Sequence, residues 1–144
     1  MRTRYFALAL GLVFLVIGIL GFVPGLLSPP PAEPALLMDT GYGVLFGLFP
    51  VNFLHNLVHL AFGVWGVVVW RSFPASRVYA RSVAIIYAVL AVMGLFPGID
   101  TVFGIVPIFS HDIWLHAAIA IVAAYFGYAA VTTVEAAGTP QRRL

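Results

Sequence analysis

The sequence predicts an all-α fold, an integral membrane four-helix bundle made of two tandem helical-hairpin repeats. Three observations lead there. Of the 144 residues, 62% are hydrophobic and only 8% are charged; soluble domains carry about a quarter charged residues. Mean hydropathy is +1.07, so the chain lacks the polar surface to face water all round. Four apolar segments are long enough to cross a hydrocarbon layer about 30 Å thick, and short motifs recur in hairpin order.

The four spans fall near residues 5–27, 51–70, 78–97 and 112–134. With an outer loop at 28–50 and a basic inner loop at 71–77, they form one transmembrane domain over 1–144. Arg2 and Arg4 precede the first span, and Arg71, Arg77 and Arg81 crowd the second link. Arg142 and Arg143 lie in the tail. Glu33, Asp39, Asp100 and Asp112 fall on the opposite side, and only Glu135 joins the arginines. The positive-inside rule then places both termini in the cytoplasm. The net charge of +2 has this topological origin and does not call for a nucleic-acid partner. The charged start and apolar run of the first span also fit a signal peptide. Its length and the lack of an A-x-A site favour a retained helix. Cysteine is absent, which excludes disulfides, iron–sulfur clusters and thiolate zinc sites.

The repeat rests on two motifs. "GFVPGL" (21–26) closes the first span and "GLFPGI" (94–99) the third, in the register that pairs Arg4 with Arg77 and Ala7 with Ala80. "LFGLFPV" (45–51) opens the second span and "VFGIVPI" (102–108) the fourth, pairing Pro50 with Pro107 and His59 with His116. Both copies run in the same direction, so their pseudo-two-fold axis lies along the membrane normal. The first copy has the longer outer loop, with "SPPPAEP" as a stiff non-helical linker, since successive prolines remove donors and lock φ. The apolar stretch after it, residues 36–50, reads as an interfacial or partly re-entrant segment, or as an ordinary loop.

Each span carries a small or polar face. At about 100° per residue, Asn52, His55, His59 and Gly66 share a stripe on the second span, with Asn56 and Gly63 at its margin. Asp112, His116, Ala120, Ala123, Gly127 and Ala130 share one on the fourth. Ala7, Gly11 and Gly18 line up on the first span; Ala80, Ala84, Ala88, Ala91 and Gly94 line up on the third, around Tyr87. Small residues let helices approach closely in lipid. The polar cluster of Asn52, His55, Asn56, His59, Asp112 and His116 therefore points into the bundle's outer half, while His111 reaches the outer surface.

Three readings of this cluster compete, because ionisable groups inside a membrane are costly and mark function. His59 and His116 could ligate one haem b from both sides, or His55, His59, His116 and Asp112 could bind a transition metal. The cluster could instead fix helix packing, each hydrogen bond contributing about 0.5–2 kcal/mol. The protein is then a non-catalytic scaffold or accessory subunit of a larger membrane complex or homo-oligomer. A proton relay through His55, His59, Asp112 and His116 is the third, but no charged group continues it inward. Enzymatic chemistry has little support: Asp100 and Asp112 are the only paired carboxylates near the outer mouth. Nucleophile-elbow, P-loop and dinucleotide-binding motifs are missing.

"FPVNFLHNLVHLAFGVWG", "RVYARSVAIIYAVLAVMGL" and "DIWLHAAIA" resemble the small bacterial four-span proteins filed as domain of unknown function 4383. The resemblance covers roughly residues 5–130. Its most specific parts are the N-x-x-H-x-x-x-H run on Asn52, His55 and His59, and the D-x-x-x-H run on Asp112 and His116. It implies a four-helix protein of the bacterial inner membrane and carries no activity with it.

Overall fold

The computed structural model describes residues 2–130. The predicted end of the fourth span, Glu135, Arg142 and Arg143 lie outside them. Four α-helices dominate: α1 (Arg2–Leu20), α2 (Phe53–Val69), α3 (Phe73–Met93) and α4 (His111–Ala124), which continues through a π-helical turn at Tyr125–Ala129. Three are long and apolar enough to cross a membrane: α1, α3, and α4 with its π turn. The 17 residues of α2 make a shorter apolar helix, about 25 Å at the usual rise per residue. These apolar helices identify a membrane protein.

The first span ends earlier than its hydropathy predicts. Gly21 closes the last turn onto Ile17, and Pro24 begins a short 3₁₀ turn, Pro24–Leu26. The third span starts earlier, at Phe73, because Ser72 caps it and Pro74 fits the first turn.

The outer loop departs most from expectation. Residues 36–50 form no re-entrant helix: 36–42 run as an irregular loop, and within this stretch short strands begin only at Gly43. Strands β1 (Leu27–Ser28), β2 (Gly43–Leu45) and β3 (Phe49–Val51) build a three-stranded antiparallel sheet in the order β1-β2-β3. Val44 pairs with Pro50 and Leu27 with Leu45. The fold is thus mostly, but not wholly, helical. Leu45 and Val51 turn inward and are buried, so the sheet roofs one end of the bundle.

α1 packs along α2, and α3 along α4. At the α1–α2 contact, a Cβ on Gly11 would come within 2.9 Å of the Gly63 carbonyl oxygen, and one on Gly66 within 2.7 Å of the Ala7 oxygen. Glycine is what permits backbones this close. The buried faces include Ala7, Gly11 and Gly18 on α1, and Asp112, His116, Ala120 and Ala123 on α4, as their spacing predicts. Ala88, placed by periodicity on the inner face of α3, is exposed, and Tyr79 and Val83 take inner positions instead. Phe14 is the one large residue buried on α1.

The arginine-bearing ends of the helices gather together. Arg4 Nε donates to the Trp70 carbonyl at 3.0 Å, and Arg81 Nε to the Gly127 carbonyl at 2.9 Å. Arg4 and Arg71 both lie over the Trp70 ring, at 6.0 and 5.6 Å.

Candidate functional site

α2 begins at Asn52, whose position inside an apolar stretch has a local explanation. Its Oδ1 accepts from the His55 backbone N–H at 2.9 Å and caps the helix. Its Nδ2 donates to the Met38 carbonyl at 2.9 Å and to the Ile105 carbonyl at 2.7 Å. Asn52 therefore ties the first outer connection to the second. The Leu37 and Met38 N–H groups, both bonded to the Gly104 carbonyl, reinforce that tie. Every polar atom of the Asn52 side chain is used, so it belongs to the frame of the site.

One turn on, His55, Asn56 and His59 face inward and are buried. Asn56 and Gly63, which periodicity puts at the margin of the stripe, lie fully within it. α4 brings Asp112 and His116, also buried, to the same level. The His55 ring stacks on His59 at 4.6 Å and lies 6.3 Å from His116. The structure thus assembles His55, His59, His116 and Asp112 from two helices. His111 stays exposed, edge-on to Phe49 at 6.4 Å.

Two aromatic residues complete the centre. Phe14 of α1 stacks on Tyr87 of α3 at 5.4 Å. Phe14 also touches the His59 ring at 5.6 Å, and Tyr87 meets His116 edge-on at 5.1 Å. The spacing of Ala7, Gly11 and Gly18 places Phe14 on the same inner face of α1; its size, like that of the lipid-facing residues, set it apart from that stripe.

The cluster is short of partners. Nδ1 of His59, Nδ1 of His116, Oδ2 of Asp112 and both amide atoms of Asn56 are buried and make no hydrogen bond within the protein. Buried polar atoms are nearly always paired, and leaving one unpaired costs about 1–3 kcal/mol. His59, Asp112 and His116 open onto a cavity of about 210 Å³ between α1 and α4. Its other walls are apolar, among them Phe14, Ile17 and Ile119, with Leu45 and Val51 of the sheet. Val13 and Leu115 also line it and are 53% and 40% exposed. The mouth therefore opens sideways, between helices, where lipid would lie.

The metal reading finds little geometric support. Among the described residues, no group of three or more His, Cys, Asp or Glu side chains is arranged to hold a metal ion. A haem held by His59 and His116 would need a slot between them, and His55 packs against both rings.

No significant match to the chain was found among curated proteins or among solved structures. Over residues 4–129, a span that includes both histidine-bearing helices, the sequence matches the family described as Domain of unknown function (DUF4383). The match covers most of the chain, and the protein belongs to that family.

Proposed function

We propose that this is a non-catalytic protein of the bacterial inner membrane, a scaffold or accessory subunit whose buried cluster doubles as a binding site for an uncharged, lipid-soluble molecule. The chain is one four-helix transmembrane domain with both termini in the cytoplasm. The orientation is supported by the arginines, which gather at the helix ends opposite the sheet.

The internal duplication also belongs to this reading. Thr3 Oγ1 donates to the Phe126 carbonyl at 3.1 Å, and Ser76 Oγ to the Val69 carbonyl at 3.0 Å. Thr3 and Ser76 stand in the register of Arg4 and Arg77; Val69 and Phe126 stand in that of His59 and His116. Phe46 and Phe103, also in register, share an unusual positive φ, 54° and 59°.

One observation carries the binding role: His59, His116 and Asp112, each with a buried polar atom that finds no partner within the protein, line a chamber whose remaining walls are apolar. Imidazole and carboxyl groups recognise a polar head, and the walls and lateral mouth suit a hydrocarbon tail arriving from the bilayer. No arginine lines the chamber, and Asp112 does. An anionic head would find no counter-charge there, and a fixed charge of either sign is costly to bring between apolar walls, which favours a neutral head.

The test uses untagged protein purified in mild detergent. Organic extraction, an absorption spectrum and elemental analysis are run on wild type and on His59→Leu. A neutral amphiphile bound to wild type and lost from a folded His59→Leu is the expected result. A Soret band, or near-stoichiometric transition metal, would replace this reading with haem or metal ligation by His55, His59 and His116. Equal organic content in both proteins would reduce the cluster to a packing device.

A further inference from the structure

A second cavity, also about 210 Å³, lies on the other side of the histidines, between α2 and α3. It is lined by the counterparts of the first. Val13, Phe14 and Ile17 of the first chamber correspond to Ile86, Tyr87 and Leu90 of the second, in the register of Arg4 and Arg77. In the register of His59 and His116, Leu45, Phe49 and Val51 correspond to Val102, Val106 and Ile108. The same register takes Asp112, Leu115 and His116 to His55, Val58 and His59. His59 and His116 line both chambers. Even the mouths agree: Val58 and Ile86 are 36% and 39% exposed at the second.

From this correspondence, and resting on the binding role proposed above, we infer that the cavity between α2 and α3 is a second binding site for the same class of ligand, a long-chain molecule with a hydroxyl head. The two chambers share a tail-binding wall and differ at the head. Asp112 presents a carboxyl to the first; His55 and Tyr87 present an imidazole and a phenol to the second. A hydroxyl both donates and accepts, so it satisfies either arrangement. The shared imidazoles, His59 and His116, line both chambers and form the wall between two bound molecules.

The experiment is native mass spectrometry of the full chain with 1-dodecanol. Wild type should bind two molecules. Ile17→Trp, filling the first chamber, and Leu90→Trp, filling the second, should each bind one. A single molecule in wild type, lost in Ile17→Trp and kept in Leu90→Trp, would overturn the second site and leave the first standing. No binding to wild type would overturn the reading on which both rest. Two molecules retained in both variants would mean surface association and would also overturn the inference. Because a buried tryptophan can impair folding, a diazirine-bearing dodecanol is cross-linked to wild type in parallel. Labelling beside Val13 and Leu115 and beside Val58 and Ile86 is expected; labelling at the first pair alone contradicts the second site.

Discussion

The two helical hairpins bury similar stripes at different distances. In α1–α2 the contact is made by glycine: Gly11, Gly63 and Gly66 each have opposing backbone within 2.9 Å of where a Cβ would stand. In α3–α4 the positions in the same register are Ala84, Ala120 and Ala123, all buried. The second hairpin accommodates a methyl group where the first does not. A stripe of small residues therefore sets which face turns inward, while the choice between Gly and Ala sets how closely the helices approach. The outer connections differ as well. The first carries a three-stranded sheet and the second a run of turns, and Asn52 binds the two together.

The largest effect should come from breaking the tight contact. Gly66→Leu would drive a side chain into the Ala7 carbonyl and the Tyr79 hydroxyl. Folded protein should be lost, read as absence of a monodisperse peak after detergent extraction. A well-behaved Gly66→Leu protein would show that the first hairpin is not held by close approach. Next comes Asn52→Ala, which removes a cap and two bonds to separate loops; it should cost about 2–3 kcal/mol in reversible unfolding. The backbone bonds from Leu37 and Met38 to the Gly104 carbonyl remain, so the two connections loosen without separating. A cost no larger than that of an ordinary surface substitution would remove the clip from the account.

Smaller effects separate the outer turns. Phe46 and Phe103 hold positive φ, which costs an L-residue about 1–2 kcal/mol. Phe46→Gly and Phe103→Gly should therefore each raise the unfolding midpoint slightly. A fall in either would mean that the exposed ring contributes more than the backbone strain removes. The last comparison is Ala123→Gly. It creates the first hairpin's residue in the second and should cost about 1–2 kcal/mol, from backbone entropy and from the lost packing of a fully buried methyl group. A gain would indicate that the second hairpin closes to the spacing of the first.

Much of this was legible in the residues. The spacing of Asp112, His116, Ala120 and Ala123 placed all four on the buried face of α4, where they lie. The histidine cluster followed from the same geometry. The sheet did not, because strands of two and three residues are too short for alternation to register. Proline at 50, a residue that normally argues against a strand, lies inside β3. Asn52 looked like a member of the cluster because periodicity reports direction and not hydrogen-bond partners. Phe14 was missed for the opposite reason: its size suggested a lipid-facing side chain, although its spacing from Ala7, Gly11 and Gly18 is that of the inner face, where it stacks on Tyr87.

The central claim is that His59 and His116 face a bound neutral amphiphile. Nitrogen NMR of histidine-labelled protein in nanodiscs, titrated with 1-dodecanol, addresses it most directly. The chain has four histidines, and exposed His111 serves as the internal control. The ring signals of His59 and His116 should shift saturably while His111 stays fixed. Unmoved His59 and His116 signals at saturating alcohol, or shifts that His111 shares, would contradict the claim.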